Sequence, residues 1–149
     1  MLALDQIQDP QNRGALMRTA EAAGVQGVFM PDRHSVSVTE AVVRASAGAS
    51  EHLLVARGNL ARIIDQLKDH DIWSAGLDTG EDAQPIETVD LDRSLLLVVG
   101  SEGKGMRRLV RESCDFLIRL PMKGRVSSLN ASAAGAIAMY AAVTARIKS

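Results

Sequence analysis

The run Leu95-Leu96-Leu97-Val98-Val99, followed at once by Gly100, constrains the fold more than any other stretch of the chain. From Ser94 to Val99 the segment is almost purely aliphatic and has no polar face, so it reads as a strand covered on both sides. Such a strand belongs inside a parallel sheet with helices above and below. The flanking sequence carries the same alternation. Met1 to Ile7, Val25 to Met30, Leu53 to Arg57, Ile72 to Leu77 and Asp115 to Leu120 read as further strands. Asn12 to Ala23, Thr39 to Ala47, Asn59 to Lys68, Met106 to Ser113 and Asn130 to Ile147 read as helices. Gly24 follows the first helix as a stop signal. Thr39 and Asn59 are cap candidates. Leu60, Ile63, Ile64 and Leu67 share one helix face. Asp78 to Leu91 is polar and turn-rich, as a surface excursion would be. The expected architecture is α/β, a mostly parallel, doubly wound sheet.

At 149 residues the chain fits one domain, with no internal repeat, low-complexity tract or linker. Aromatic residues make up only 3%, so the core must be built from Ala, Val, Leu and Ile. No apolar run is long enough to span a bilayer, and the start Met-Leu-Ala-Leu-Asp reads as a strand. Cys114 is the only cysteine, which rules out an internal disulfide; a cytoplasmic setting is the simplest expectation. The formal charge of −1 argues against a protein that coats nucleic acid non-specifically, though not against a local basic site.

Three polar clusters stand at expected strand ends, where open α/β sheets bind ligands. The first is Asp9-Pro10-Gln11-Asn12-Arg13-Gly14, with Arg18 further along the helix. Asn12 suits an ordinary N-cap, and Arg18 suits a solvated pair with Glu21. Gly14 in the first turn costs helix stability, which suggests a close neighbour there. A guanidinium at such an edge also matches phosphate oxygens. The second cluster is Gly100-Ser101-Glu102-Gly103-Lys104-Gly105-Met106. Glu102 is either a favourable charge near a helix start or a contact for a ligand or for Arg18. Lys104, Arg107, Arg108 and Arg111 are either a solvated helix face or a holder of RNA phosphates. The third runs from Leu120 through Pro121, Met122, Gly124, Ser127, Ser128, Leu129 and Asn130 to Ser132. Its four hydroxyl and amide side chains within six positions exceed what one cap needs. The helix that follows is rich in alanine and glycine, so other backbone can lie directly against it.

Familiar alternatives are missing. No Gly-x-Gly-x-x-Gly follows the first strand, and no Gly-x-x-x-x-Gly-Lys-Ser/Thr or Gly-x-Ser-x-Gly occurs. His34, His52 and His70 lack metal-ligand spacing, so no metal is expected.

In register, the three clusters resemble the SpoU (TrmH-type) branch of the SPOUT superfamily, the RNA ribose 2′-O-methyltransferases. Asn12, Gly14 and Arg18 meet its Asn-x-Gly-x-x-x-Arg motif. Gly100, Glu102 and Gly103 meet the Gly-x-Glu-Gly that follows a strand. Pro121, Met122, Gly124, Ser128, Leu129, Asn130 and Ser132 meet the third motif, in which Ala131 replaces a common valine. Asp32 to Ser35, Ala47 to Glu51 and Gly103 to Leu109 further resemble the bacterial 23S rRNA guanosine 2′-O-methyltransferases and their antibiotic-resistance relatives.

The resemblance implies a C-terminal trefoil knot, a homodimer, and S-adenosylmethionine as methyl donor. It implies that Gly100, Leu120, Met122, Leu129 and Asn130 line the cofactor pocket. It implies that Arg18 acts at the target 2′-hydroxyl, with Asn12, Glu102, Ser128 and Asn130 completing the catalytic set. Because arginine stays charged, its expected role is orientation and electrostatics, with an RNA phosphate as proton sink. Residues 1–149 are expected to be one catalytic domain with no separate N-terminal RNA-binding domain in the chain. The expected acceptor is RNA, rRNA before tRNA. A non-catalytic RNA-binding or ribosome-assembly module of the same fold is the alternative, and a nucleotide-dependent dehydrogenase is weakened by the absent glycine fingerprint.

Overall fold

The computed structural model describes residues 1–32 and 52–149. The helix expected over Thr39 to Ala47 lies outside the described residues. Seven strands form one sheet: β1 (Leu2–Asp5), β2 (Gly27–Met30), β3 (Leu54–Arg57), β4 (Trp73–Leu77), β5 (Gln84–Pro85), β6 (Leu95–Gly100) and β7 (Phe116–Arg119). Their spatial order is β3-β2-β1-β6-β4-β7-β5, and every pairing between them is parallel. Among the described residues four helices pack on it: α1 (Pro10–Ala22), α2 (Leu60–Lys68), α3 (Arg108–Ser113) and α4 (Ala131–Lys148).

The aliphatic strand is central, as its composition dictates. β6 pairs with β1 on one side and β4 on the other, and Leu95 to Val99 are all buried. Its side chains alternate between two cores. Leu95, Leu97 and Val99 join Leu2, Leu4, Leu16, Met17 and Met139 under α1 and α4. Leu96 and Val98 join Ala3, Leu60, Ile64, Met106 and Val110 under α2 and α3. Helices therefore cover both faces, the doubly wound arrangement. No helix among the described residues is long and apolar enough to cross a membrane.

The structure corrects several boundaries. β1 stops at Asp5 because Gln6 adopts φ 64°, a left-handed turn that breaks the extended backbone. Asn12 is not the cap of α1. Asp9 is, accepting from the Gln11 amide at 3.0 Å, with Pro10 pre-set at the first helical position. The excursion after β4 holds β5, which pairs with β7, and a 3₁₀ turn over Ile86–Thr88. Its Pro85 is tolerated because β5 is an edge strand. The helix expected from Met106 starts at Arg108, and Met106 is packed into the core instead.

Arg13 is an exception to ordinary burial rules. It is 1% exposed, and its Nη2 donates to Met30 Sδ at 2.6 Å. Nε and Nη1 have no hydrogen-bond partner among the described residues. Burial pushes its pKa down to about 10, with the nearby Arg57 charge adding to the effect.

Candidate functional site

The carboxyl edge of the sheet collects the polar clusters. After β6 the chain turns back sharply: Ser101 N–H donates to Gly105 O at 3.2 Å, and Gly105 N–H to Ser101 O at 2.8 Å. Gly103 and Gly105 take φ of 84° and 70°, which only glycine adopts without strain. Gly100 is required for another reason, since a Cβ there would run into the backbone of Gly105 and Met106.

The segment after β7 is irregular from Leu120 to Leu129. Outside the strand ladders, no backbone-to-backbone hydrogen bond among the described residues involves it. Its amides and carbonyls are thus open to solvent or a ligand. α4 begins at its end with Asn130 as cap: Oδ1 accepts from the Ser132 and Ala133 amides and the Ser132 hydroxyl. Asn130 Nδ2 donates to Glu102 Oε2 at 3.2 Å. Glu102 therefore reaches the cap of α4 and does not serve the helix that follows its own loop.

These loops enclose a cavity of about 640 Å³, lined by Leu77–Thr79, Val99–Gly105, Arg119–Met122, Ser127–Leu129, Ala131 and Ala134. Of the expected site residues, Gly100, Glu102, Leu120, Met122, Ser128 and Leu129 line it, and Asn130 stands beside it through Glu102. Asn12 and Arg18 do not. Asn12 is half-buried in α1, and Arg18 is exposed further along the same helix. The expected Arg18–Glu21 pair is absent among the described residues, as is any bond from Arg18 to Glu102 or Ser128.

Three residues that shape this edge carry no local sequence signal. Asp5, fully buried at the end of β1, accepts from Arg107 through its backbone N–H at 2.7 Å and its Nε at 2.8 Å. This pins the segment after the Gly100 loop to the sheet centre. Asp78 lines the cavity and accepts from Arg111 Nε and from the Thr79 and Gly80 amides. Arg111 also grips both carboxylate oxygens of Asp82 at 2.8 Å. Burial would raise the Asp78 pKa, but the bonds from Arg111, then Gly80 and Thr79, outweigh it and hold the carboxyl below its usual range. Arg119 also lines the cavity and donates to the carbonyls of Glu81 and Ala83, fixing the opposite wall. Two of the expected basic group, Arg107 and Arg111, are thus structural clamps.

No group of three or more metal-ligating side chains occurs among the described residues.

Comparison with known proteins gives a consistent result. A family model described as the SpoU rRNA Methylase family matches residues 1–140. YacO of Bacillus subtilis (strain 168), named for the TrmH family of tRNA/rRNA methyltransferases, is 50% identical over 140 residues, covering 93% of this chain and 56% of its own length. A Staphylococcus aureus (strain COL) relative named for the same family is 50% identical over 141 residues, covering 94% of this chain and 56% of its own. The chain thus spans about half the length of the curated relatives it matches. The crystal structure of the SpoU methyltransferase AviRb from Streptomyces viridochromogenes, in complex with AdoMet, superposes with a TM-score of 0.89 at 29% identity, covering 99% of this chain and 60% of that one. On these matches the chain belongs to the SpoU rRNA Methylase family.

Proposed function

We propose that this chain carries the methyl-transfer site of an S-adenosylmethionine-dependent RNA ribose 2′-O-methyltransferase, acting on a guanosine of large-subunit rRNA. The observation that carries this reading is the convergence of two motif segments, 100–105 and 120–129, on one cavity of about 640 Å³. That volume lies in the range of small-molecule and cofactor clefts, roughly 300–1,000 Å³. The wall combines apolar side chains, Leu120, Met122 and Leu129, with open backbone amides that donate and carbonyls that accept, a set that suits an adenine and a ribose. The AviRb structure that this fold matches was solved with the same cofactor.

S-adenosylmethionine supplies an electrophilic methyl group when bound. Gly100, Leu120, Met122 and Leu129 on the cavity wall, with Asn130 beside it, would hold it. The rest of the chemistry falls to this chain's own side chains and to the RNA. A ribose hydroxyl must lose its proton to become a competent nucleophile. Arg18 lies outside the cavity of its own chain, so in this reading it reaches the acceptor from the second copy of a homodimer, where its guanidinium orients the hydroxyl and stabilises developing negative charge while a neighbouring RNA phosphate takes the proton. Glu102 and Ser128 position the acceptor from the cavity wall, and Asn12, on the same helix as Arg18, joins them from the second copy. Ile137 and Tyr140 on α4 are 49% and 46% exposed, which supports a homodimer that covers this face. Small residues along α4, with Gly135 directly under Leu16, support threading of the C-terminal segment through a tight trefoil knot.

Calorimetric titration of S-adenosylmethionine tests the cofactor half, with Asn130→Ala as control and NADH as decoy. Saturable binding lost in the variant is expected; no binding by a folded chain favours a non-catalytic RNA-binding module. Methylation of rRNA and tRNA transcripts tests the acceptor. Arg18→Ala is expected to abolish methylation while cofactor binding persists, and preserved turnover would remove Arg18 from its role.

A further inference from the structure

A second cavity, of about 390 Å³, opens on the same carboxyl edge and has no part in the cofactor reading. Pro31 and Asp32 after β2, Gly58 to Ala61 after β3, and Arg107 to Val110 at the start of α3 line it. Its walls are apolar where Pro31, Leu60, Leu109 and Val110 contribute, and Leu109 is 61% exposed. Arg107 is committed to Asp5. Arg108 is 81% exposed in its side chain, and its one ion pair among the described residues, to Glu112, stretches to 4.0 Å.

We propose that this second cavity binds a nucleotide of the RNA next to the one being methylated, with its phosphate on Arg108 and its base against Pro31 and Leu109. This inference rests on the methyltransferase reading above. A planar guanidinium matches phosphate oxygens, and apolar walls of this kind take the face of a base. The two cavities share one stretch of chain, since Gly105 lines the first and Arg107 the second. Two residues span at most about 7 Å of extended chain, so a strand whose acceptor ribose meets the cofactor at the mouth of the first cavity can place its neighbouring nucleotide in the second. The buried Asp5–Arg107 clamp fixes the shared wall. Asp32 contributes carboxylate oxygens, which are hydrogen-bond acceptors. It therefore favours a base with donors on its edge. Guanine offers an N1–H and an amino group, whereas uracil offers one N–H.

The test is a methyl-NMR titration of the chain with guanosine 5′-monophosphate, beside uridine 5′-monophosphate, guanosine and inorganic phosphate, with cofactor binding read separately by calorimetry. Guanosine 5′-monophosphate is expected to give saturable shifts at the Leu60, Leu109 and Val110 methyls. Guanosine and phosphate alone are expected to bind at least about tenfold more weakly. Arg108→Ala is expected to weaken the nucleotide by about tenfold with S-adenosylhomocysteine binding unchanged. Shifts confined to Leu120 and Leu129, no saturable shift, or an equal response to phosphate alone each overturns the site. Equal binding of uridine 5′-monophosphate overturns the role of Asp32. A chain that binds cofactor but no nucleotide here refutes this inference alone; one that binds nucleotide here but no cofactor refutes the methyltransferase reading alone.

Discussion

The Asn130 side-chain amide donates to a Glu102 carboxylate oxygen at 3.2 Å, so the cap of α4 is tied to the loop that leaves β6. One side chain does two jobs here, because its other atom, Oδ1, accepts from the first turn of the helix. The jobs can be separated. Asn130→Asp keeps an acceptor for the cap but sets a carboxylate against Glu102. Asn130→Ala removes both functions.

Thermal melts and cofactor titrations of the two variants should therefore diverge. Asn130→Ala is expected to lose about 1 kcal/mol of stability with the cap. Asn130→Asp is expected to stay closer to the parent in stability. Both are expected to lose cofactor affinity, because the link between the two loops is broken in each. An Asn130→Asp chain with parental affinity would show that the link does not shape the cleft.

Two glycines predict opposite kinds of damage. A Cβ at Gly100 meets backbone of Gly105 and Met106, which cannot rotate away, so Gly100→Ala should open the loop and abolish cofactor binding. A Cβ at Gly135 meets the end of the Leu16 side chain, which can change rotamer. Gly135→Ala should cost about 1–3 kcal/mol of overpacking, visible in a denaturant melt, with the cleft retained.

Arg111 ties α3 to the cavity wall through Asp78 and Asp82. Because the folded-state pKa of Asp78 lies below its ordinary value, its contribution is present above the ordinary carboxylate range and is lost as pH falls through the folded value. Stability measured by urea melts should therefore drop in acid. Arg111→Gln should flatten part of that drop and cost about 1 kcal/mol near neutrality.

Cys114 tests the packing under α3. Its Sγ–H donates to Val110 O at 3.3 Å, and burial, followed by the charge of Asp115, pushes the thiol up to about 12. Relative to a free cysteine, the thiolate fraction at pH 8 should be lower by roughly a thousandfold. Alkylation by iodoacetamide should be slow in the native chain and fast in denaturant. Rapid native labelling would contradict this packing.

Arg13 carries a buried charge with two unpartnered nitrogens among the described residues. Replacing such a group with an apolar side chain of similar length often stabilises a fold by about 1–4 kcal/mol. Arg13→Met is expected to raise the melting temperature. A fall would mean that the guanidinium is held by a favourable contact that outweighs its desolvation.

Sequence legibility followed the range of the forces involved. β6 was readable because burial on both faces writes itself into consecutive residues, and the loops after β6 and β7, which line one cavity, were readable as polar clusters because glycines and hydroxyls gather locally. The cap of α1 was misplaced because Asp9 and Asn12 are equally able cap residues, and Pro10 decides between them. Asp5–Arg107 spans 102 positions and Asp78–Arg111 spans 33, so no local pattern couples them. Arg13 looks in sequence like any solvated helical arginine; only packing against Met30 reveals otherwise. Arg18 was expected in the site, yet it stands outside the cavity of its own chain because α1 carries it along the sheet face.

The slot that β6 fills also sets the timing of assembly. Both of its neighbours, β1 and β4, are synthesised before it. A chain emerging from the ribosome can pair β1, β2 and β3, but that ladder keeps a bare inner edge, and β4 has no strand partner, until Leu95 to Gly100 arrives to join them. Long-range parallel pairing of this kind is slow, and unpaired edges invite association with other chains. This fold's exposure to aggregation is therefore greatest before β6 is made, and it ends only when β7 arrives to cover the far edge of β4 and pair with β5.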